Sequence, residues 1–468
     1  MHFSIPDTQE LNDGNGSTYM GYNIHINGVF HCTVRYRQLH NLNEQLKKEF
    51  GGDRLPHFPP KKLLPLTDGQ LEERRALLEK YIQIIGQDPK LVSCELLVGF
   101  LLSAQQETTC EKRHELKLDI YTMNNYQISL NILSTDRTEQ VLLKACKHIN
   151  LPPEFTSYFA LYVIRKEENG GDITILRKLQ EFESPYISCK SIRESNRLVI
   201  RKSYWDSKYD LELMNNPVAL NLLYTQTVSD VERGWILTNS DIKNQLAHFQ
   251  ARLAKLEYLE LARTLKYYGY TQFNVCFCDY PKPQTKALVA IGGEELNLRL
   301  IGHVMGEGSF KVTRMRCWRI TAMHNKPNMP SNSSMVSIGP EVELSFEYLM
   351  AKEELKWITI SSPQSILMSV CLQSVVDELL LKKKGIRRKS IYSCKGPWSY
   401  MKRDGSSHTI SLDDPDVNTD AVSEETKSSE SNTFSIKKLQ EKFSSVSFKT
   451  GKEFVENHAF EGIGDDDL

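Results

Sequence analysis

Arg35-Tyr36-Arg37-Gln38-Leu39, Pro56-His57-Phe58-Pro59-Pro60-Lys61-Lys62 and Glu73-Arg74-Arg75 are the stretches that decide how this chain reads. An Arg-Tyr pair ends a run of alternating residues, lysines follow a proline-stiffened loop, and arginines open a helical pattern. A guanidinium fork grips a phosphate bidentately, and an ammonium supplies a point charge. A tyrosine ring offers a flat apolar floor for a sugar-like ring. Between the cations lies the apolar tip Leu63-Leu64-Pro65-Leu66. Leu64 and Leu66 read equally as a tip that enters a membrane or as core packing. Cations beside an exposed apolar tip suit a membrane surface that carries a phosphorylated headgroup.

Composition bounds the rest. The chain has 468 residues, 40% of them hydrophobic, enough for roughly three or four domains with sizeable cores. The net charge of -1 gives no global field toward nucleic acid or membrane, so any such contact is local. Met1 to Gly16 is polar and acidic, which is not the pattern of a secretory signal. The apolar run Leu96 to Leu102 is far short of the about 20 residues that a bilayer needs. Ten cysteines without framework spacing read as reduced thiols. Cys276-Phe277-Cys278, with no second pair and no nearby histidine, is a poor zinc site and reads better as thiols packed in a strand. No Walker loop, Gly-x-Ser-x-Gly or His-Glu-x-x-His occurs, and neither catalysis nor a cofactor or metal is expected.

Working outward, Tyr22 to Ile26 and Val29 to Tyr36 alternate around Asn27-Gly28, which predicts a type I′ hairpin. Helices are expected over Asn41 to Phe50 and Leu71 to Ile85, with another ending near Gln106. The stretch 1–106 therefore reads as a small α+β domain. Two strands around Asn124-Asn125, a helix over Thr138 to His148 and further strands follow. Leu211 to Tyr268 reads as helical, with Leu246, Phe249, Leu253, Leu256, Leu259 and Leu265 at helical spacing. Strand patterns return from Thr271 to about Trp357, and a helix over Pro363 to Leu381 is expected, N-capped by Ser361 or Ser362. Beyond it the chain turns basic, then acidic and serine-rich, which reads as a disordered tail.

The three opening stretches resemble a PX domain, the phosphoinositide-binding module of sorting nexins. Met1-His2-Phe3-Ser4-Ile5-Pro6, Val231-Glu232-Arg233-Gly234-Trp235-Ile236-Leu237, Arg314-Met315-Arg316-Cys317-Trp318-Arg319 and the end from Phe460 to Leu468 extend the resemblance to the PX-FERM sorting nexins. It implies an α+β multi-domain chain: PX domain 1–106, ubiquitin-like FERM F1 lobe 115–202, helical F2 lobe 203–270, PTB/PH-like F3 lobe 271–384 and disordered tail 385–468. It further implies Arg35, Lys61 and Arg74 as phosphate ligands, Tyr36 as the floor beneath the inositol, and a further contact at Arg37. The implied lipid is phosphatidylinositol 3-phosphate of the early endosome; the residues themselves specify only a phosphorylated headgroup.

For the F3 lobe the relevant physics is strand addition, in which an extended peptide pairs with an unpaired strand edge. Arg314 to Thr321 reads as such a strand, with Trp318 either an aromatic anchor or a plain core residue. Val376 and Leu380, one turn apart, are candidate groove residues on the companion helix. The resemblance implies Asn-Pro-x-Tyr or Asn-x-x-Tyr motifs in receptor tails as cargo, among them integrin β, lipoprotein-receptor-type and uroplakin tails. The carboxylates of Asp465, Asp466 and Asp467 with the apolar Leu468 suit a short peptide ligand, and the resemblance implies the Retriever complex as its receptor. Asn457-His458-Ala459-Phe460 is a weak copy of the cargo motif, so Asn457 and Phe460 are candidates for self-inhibition, tethered at an effective concentration of order mM. The expected function is a peripheral endosomal cargo adaptor that directs receptors to recycling and away from lysosomal degradation. The alternative is a signalling or cytoskeletal scaffold whose ubiquitin-like lobe binds a Ras-type GTPase, which a basic strand edge near Lys117 would favour.

Overall fold

The computed structural model describes residues 1–12, 16, 18–62, 65–166, 172–190, 196–302, 306–323, 341–352, 354–385 and 398–410, and the backbone of 445–449. The first domain opens with strands β1 (Phe3–Ser4), β2 (Thr8–Asn12), β3 (Thr18–Ile26) and β4 (Val29–Arg35), all joined through β3. The β3–β4 turn has Asn27 at φ 51° and Gly28 at φ 78°, the doubly left-handed geometry that Asn-Gly predicts. Helices α1 (Tyr36–Phe50), α2 (Asp68–Gln87), α3 (Pro89–Val92) and α4 (Glu95–Thr108) pack behind the sheet. Helix α1 begins at Tyr36, five residues before the expected start, because the Gln38 side chain accepts from the Arg35 backbone N–H and caps the helix there. Tyr36 therefore starts a helix instead of ending a strand. Helix α2 starts at a Thr67–Gln70 capping box, which puts Arg74 in its second turn.

The second unit holds β5 (Glu115–Tyr121), β6 (Gln127–Leu133), α5 (Thr138–His148), α6 (Pro153–Thr156), β7 (Phe159–Lys166), β8 (Ile173–Lys178), α7 (Pro185–Lys190) and β9 (Asn196–Lys202). Its strand order is β6-β5-β9-β7-β8, with β5 and β9 parallel at the centre, as expected of a ubiquitin-like lobe. The helical unit follows with α8 (Lys208–Leu213), α9 (Pro217–Glu232), α10 (Ser240–Ala251) and α11 (Lys255–Ala262). The expected leucine stripe is interrupted here. Leu253 sits at φ 57° in the turn between α10 and α11 and is 74% exposed. Leu246 and Leu259 do enter the core shared with the second unit.

The third lobe is one sheet of β10 (Thr271–Cys278), β11 (Thr285–Gly292), β12 (Glu295–Leu300), β13 (Glu307–Lys311), β14 (Met315–Met323), β15 (Glu341–Ala351) and β16 (Glu354–Ser361), closed by α12 (Ser365–Lys383). The strand order β13-β12-β11-β10-β16-β15-β14 leaves β14 outermost of these strands, with α12 packed over the sheet. Helix α12 starts later than expected, with Gln364 at its N-cap; the Ser362 hydroxyl accepts from the Gln364 N–H just before it. Cys276 and Cys278 are both buried in β10, and burial pushes the Cys276 thiol up to about 12.

The expectation of a disordered tail from residue 385 does not hold for 398–410. Strands β17 (Ser399–Met401) and β18 (Ser407–Thr409) form a hairpin on the first domain. Tyr400 is 1% exposed in that domain's core, beside Phe100 at 5.4 Å between ring centroids. Burial of a ring of this size stabilises by on the order of 2 kcal/mol. Short local patterns cannot show such a contact, because its partners lie some three hundred residues earlier. A last strand, β19 (Ser445–Lys449), runs parallel to β14 along its outer edge, from Arg319↔Ser445 to Met323↔Lys449.

Candidate functional site

The first site forms where β4 meets α1. Arg35 lies with its guanidinium carbon 3.7 Å from the Tyr19 ring centroid. The next residue, Tyr36, donates its hydroxyl to Pro59 O at 2.7 Å and packs against Phe58, which ties the proline loop to the helix start. Arg74 reaches across from α2 and stacks 4.4 Å from the Tyr36 ring centroid. Tyr22, buried in the core beneath, and Tyr36 both have hydroxyl pKa values raised by burial, partly offset by the Arg74 charge. Lys61 is exposed two residues beyond the tied Pro59. The fold thus brings Arg35, Tyr36 and Arg74 together, with Lys61 on the loop beside them.

Two donors here lack a protein acceptor. Arg74 Nη2 and Arg37 Nε are buried and make no hydrogen bond. Leaving a charged donor so buried costs more than about 1–3 kcal/mol, which an anionic ligand would recover. Arg37 Nη2 donates to the Arg403 carbonyl on the β17–β18 hairpin. Arg75, next to Arg74 in sequence, is used structurally, bound to Glu72, Glu79 and the Ile5 carbonyl. Leu66 is half-buried, and Leu64 lies outside the described residues.

The second site is the β14–α12 seam. Trp318 is 2% exposed and its indole N–H donates to Ser369 Oγ on α12 at 2.8 Å. Val376 and Leu380 are buried in the same core. All three expected groove residues are therefore buried in the core of the third lobe rather than exposed beside the β14 edge. Sequence reading missed Ser369 and His2: the same Ser369 Oγ lies 2.8 Å from His2 Nε2, so the first domain touches the seam. Nearby, Ile366 of α12 fills the space where a side chain on Gly28 would sit. On the outer sheet face, Arg319 stacks 4.6 Å from the Trp357 ring centroid.

The strand edge that the GTPase alternative needs is not basic. On β6, Gln127, Ser129 and Asn131 are exposed, and Lys117 on β5 lies between Glu115 and Asp119. Asp465, Asp466, Asp467 and Leu468, with Asn457 and Phe460, lie outside the described residues. Among the described residues no cluster of metal-ligating side chains occurs, and no helix is long and apolar enough to cross a membrane.

Family models match in the order of the lobes. The PX domain model covers 22–104, the F1 lobe model of the sorting nexin 17/27/31 FERM domain covers 116–205, the sorting nexin 17/31 F2 lobe model covers 206–266, and the Sorting Nexin 17 FERM C-terminal domain model covers 269–380. Sorting nexin-17 of Danio rerio is 46% identical and that of Homo sapiens 45% identical, each over 100% of both chains. This chain is a PX-FERM sorting nexin. Within that family, the quoted motifs lead to an expectation of greatest likeness to sorting nexin-31, near sorting nexin-17. Whole-chain identity reverses that order. Sorting nexin-31 of Homo sapiens is 34% identical over 82% of this chain and 86% of its own. As a PX-FERM sorting nexin, the chain carries a PX domain, three FERM lobes and the added hairpin of 398–410.

Proposed function

We propose that this sorting nexin is an endosomal cargo adaptor without catalytic activity. It binds phosphatidylinositol 3-phosphate through Arg35, Tyr36, Lys61 and Arg74, and holds Asn-Pro-x-Tyr or Asn-x-x-Tyr receptor tails along β14. The observation that carries this reading is the β14 edge. It is tied to α12 through Trp318 and Ser369, over the core that also holds Val376 and Leu380, and it accepts an extended segment, since β19 pairs there. Main-chain pairing supplies affinity in this mode, and flanking pockets supply selectivity. Integrin β, lipoprotein-receptor-type and uroplakin tails are the cargo, and the carboxylates of Asp465 to Asp467 with Leu468 hand it to Retriever for recycling.

The lipid half is supported by the unpartnered Arg74 Nη2 above the Tyr36 ring. One weak lipid site suffices, because cargo embedded in the same membrane supplies a second attachment. Titration of the full chain with an Asn-Pro-x-Tyr peptide tests the reading: binding is expected in the wild type and lost in Trp318→Ala. Retained binding in that variant would remove the groove assignment. Recovery of Retriever by a chain lacking Leu468 would remove the assignment of the terminus.

A further inference from the structure

We infer that the headgroup pocket is composite: the β17–β18 hairpin is a working part of it, and Arg403 is its positioning residue. This rests on the phosphoinositide reading above. The turn of the hairpin sits directly against the cations at the start of α1. Arg35 Nη1 donates to the Arg403 carbonyl at 2.9 Å, and Arg37 Nη2 donates to the same oxygen. Two guanidinium groups thus share one main-chain acceptor, whose negative dipole end offsets their mutual repulsion. A guanidinium has five N–H donors in a rigid fork, so the bond to this carbonyl engages only part of the donor set of Arg35. What the carbonyl removes is rotamer freedom on a long side chain, freedom that headgroup binding would otherwise have to freeze out.

The carbonyl is itself held. Arg403 Nη2 donates to Thr33 O at 2.6 Å and to Thr108 Oγ1 at 2.7 Å, and its backbone N–H donates to Glu107 Oε1 at 2.8 Å. Glu107 Oε2 in turn accepts from the Tyr400 hydroxyl at 2.7 Å and from Gln38 Nε2 at 2.9 Å. Gly405, at φ 96°, lets the turn pass close to the Arg37 guanidinium; an added Cβ would sit 3.4 Å from Nη1. The arrangement is a strut, not a plug that the lipid expels. Tyr400 is buried in the PX core, and Ile410 occupies the space above Gly99, where a Cβ would lie 2.1 Å from its Cγ2. A headgroup could not displace the hairpin without opening that core.

The test uses the full chain with phosphatidylcholine vesicles containing phosphatidylinositol 3-phosphate, and soluble inositol 1,3-bisphosphate as a membrane-free probe. Arg403→Ala is expected to weaken both by about tenfold, the scale of one lost hydrogen bond to a charged group. Arg403→Lys, which can still reach Thr33 O or Thr108 Oγ1, is expected to restore most of the affinity. The melting temperature is expected to fall by several degrees in Arg403→Ala and by less in Arg403→Lys, while Asn-Pro-x-Tyr peptide affinity stays close to wild type in both. Unchanged or tighter lipid binding in Arg403→Ala, or equal losses in the alanine and lysine variants, would overturn the inference. Arg74→Ala separates the two levels. If it abolishes binding while Arg403→Ala does not weaken it, the strut fails and the lipid reading stands. If Arg74→Ala itself leaves binding intact, the lipid reading falls and the strut with it.

Discussion

Trp318 and Ser369 join β14 to α12 through one hydrogen bond, indole N–H to hydroxyl oxygen at 2.8 Å, and His2 of the PX domain meets that same hydroxyl at 2.8 Å. Trp318 of the proposed cargo groove and the residue just before β1 of the PX domain therefore meet at one hydroxyl. Trp318→Ala should abolish peptide capture and cost about 3–5 kcal/mol through the cavity it leaves. Trp318→Phe keeps most of the volume and should cost about 1 kcal/mol, mainly the lost hydrogen bond. Unfolding curves and peptide calorimetry on the two variants separate the roles. If both bind peptide like wild type, Trp318 is a core residue and nothing more.

Arg74 tests the lipid site with little collateral damage. Its guanidinium stacks on Tyr36, and one of its buried nitrogens has no acceptor. Arg74→Ala should lower affinity for phosphatidylinositol 3-phosphate vesicles by at least about a hundredfold, the loss expected if Arg74 is the phosphate ligand proposed above. The melting temperature should shift by only a few degrees, because the cation–π contact is worth about 0.5–1 kcal/mol when partly exposed. Co-sedimentation alongside a melting curve checks both numbers.

Much of this was legible in the sequence for local reasons. Asn27-Gly28 specifies its own turn, and the alternation around it specifies two strands. The residues from Arg314 to Thr321 read as a strand, and β14 runs Met315–Met323. The cations at 35, 37, 61 and 74 each belong to a short motif, while the bond from Arg37 to the hairpin carbonyl of Arg403 does not show in any motif. What failed depended on distance or on a single backbone angle. Tyr400 and Arg403 act on Gln38, Arg35 and Thr33 across more than three hundred and fifty residues, and no periodicity encodes that. Leu253 kept the right spacing but took a left-handed φ, which ended the helix its spacing predicted.

Acid should weaken the docking of the PX domain on the F3 lobe. Burial, with the nearby N-terminal charge, lowers the His2 pKa from 6.5 to about 3, and burial lowers His31 to about 4. Both are neutral in the folded chain at pH values where an unfolded chain would protonate them. The stability they confer is complete above pH 6.5 and falls as pH drops toward 4 and then 3, by up to roughly 1.4 kcal/mol per pH unit for each group. His2→Gln, which can still bond to Ser369, should flatten the melting-temperature profile between pH 6.5 and 4. Parallel profiles for the variant and wild type would show that His2 is not the source.

Strand β19 lies along the β14 edge that cargo is proposed to use, so tail and cargo compete for the same backbone groups. The paired segment is Ser445–Lys449, N-terminal to the Asn457–Phe460 motif copy, which lies outside the described residues. A tether of this kind acts at an effective concentration of order mM, so even a pairing of mM affinity halves the free groove, and one ten times tighter occupies most of it. Deleting 445–449 should therefore tighten Asn-Pro-x-Tyr peptide binding by about twofold to tenfold. Phe460→Ala should do the same if the motif copy adds its own anchor to the pairing. The two variants are informative together under calorimetry with one peptide. Tightening only on deletion assigns the competition to the strand, and tightening in both assigns it to the strand and Phe460 acting in series. Unchanged affinity in both would mean that the tail leaves the edge freely and exerts no self-inhibition.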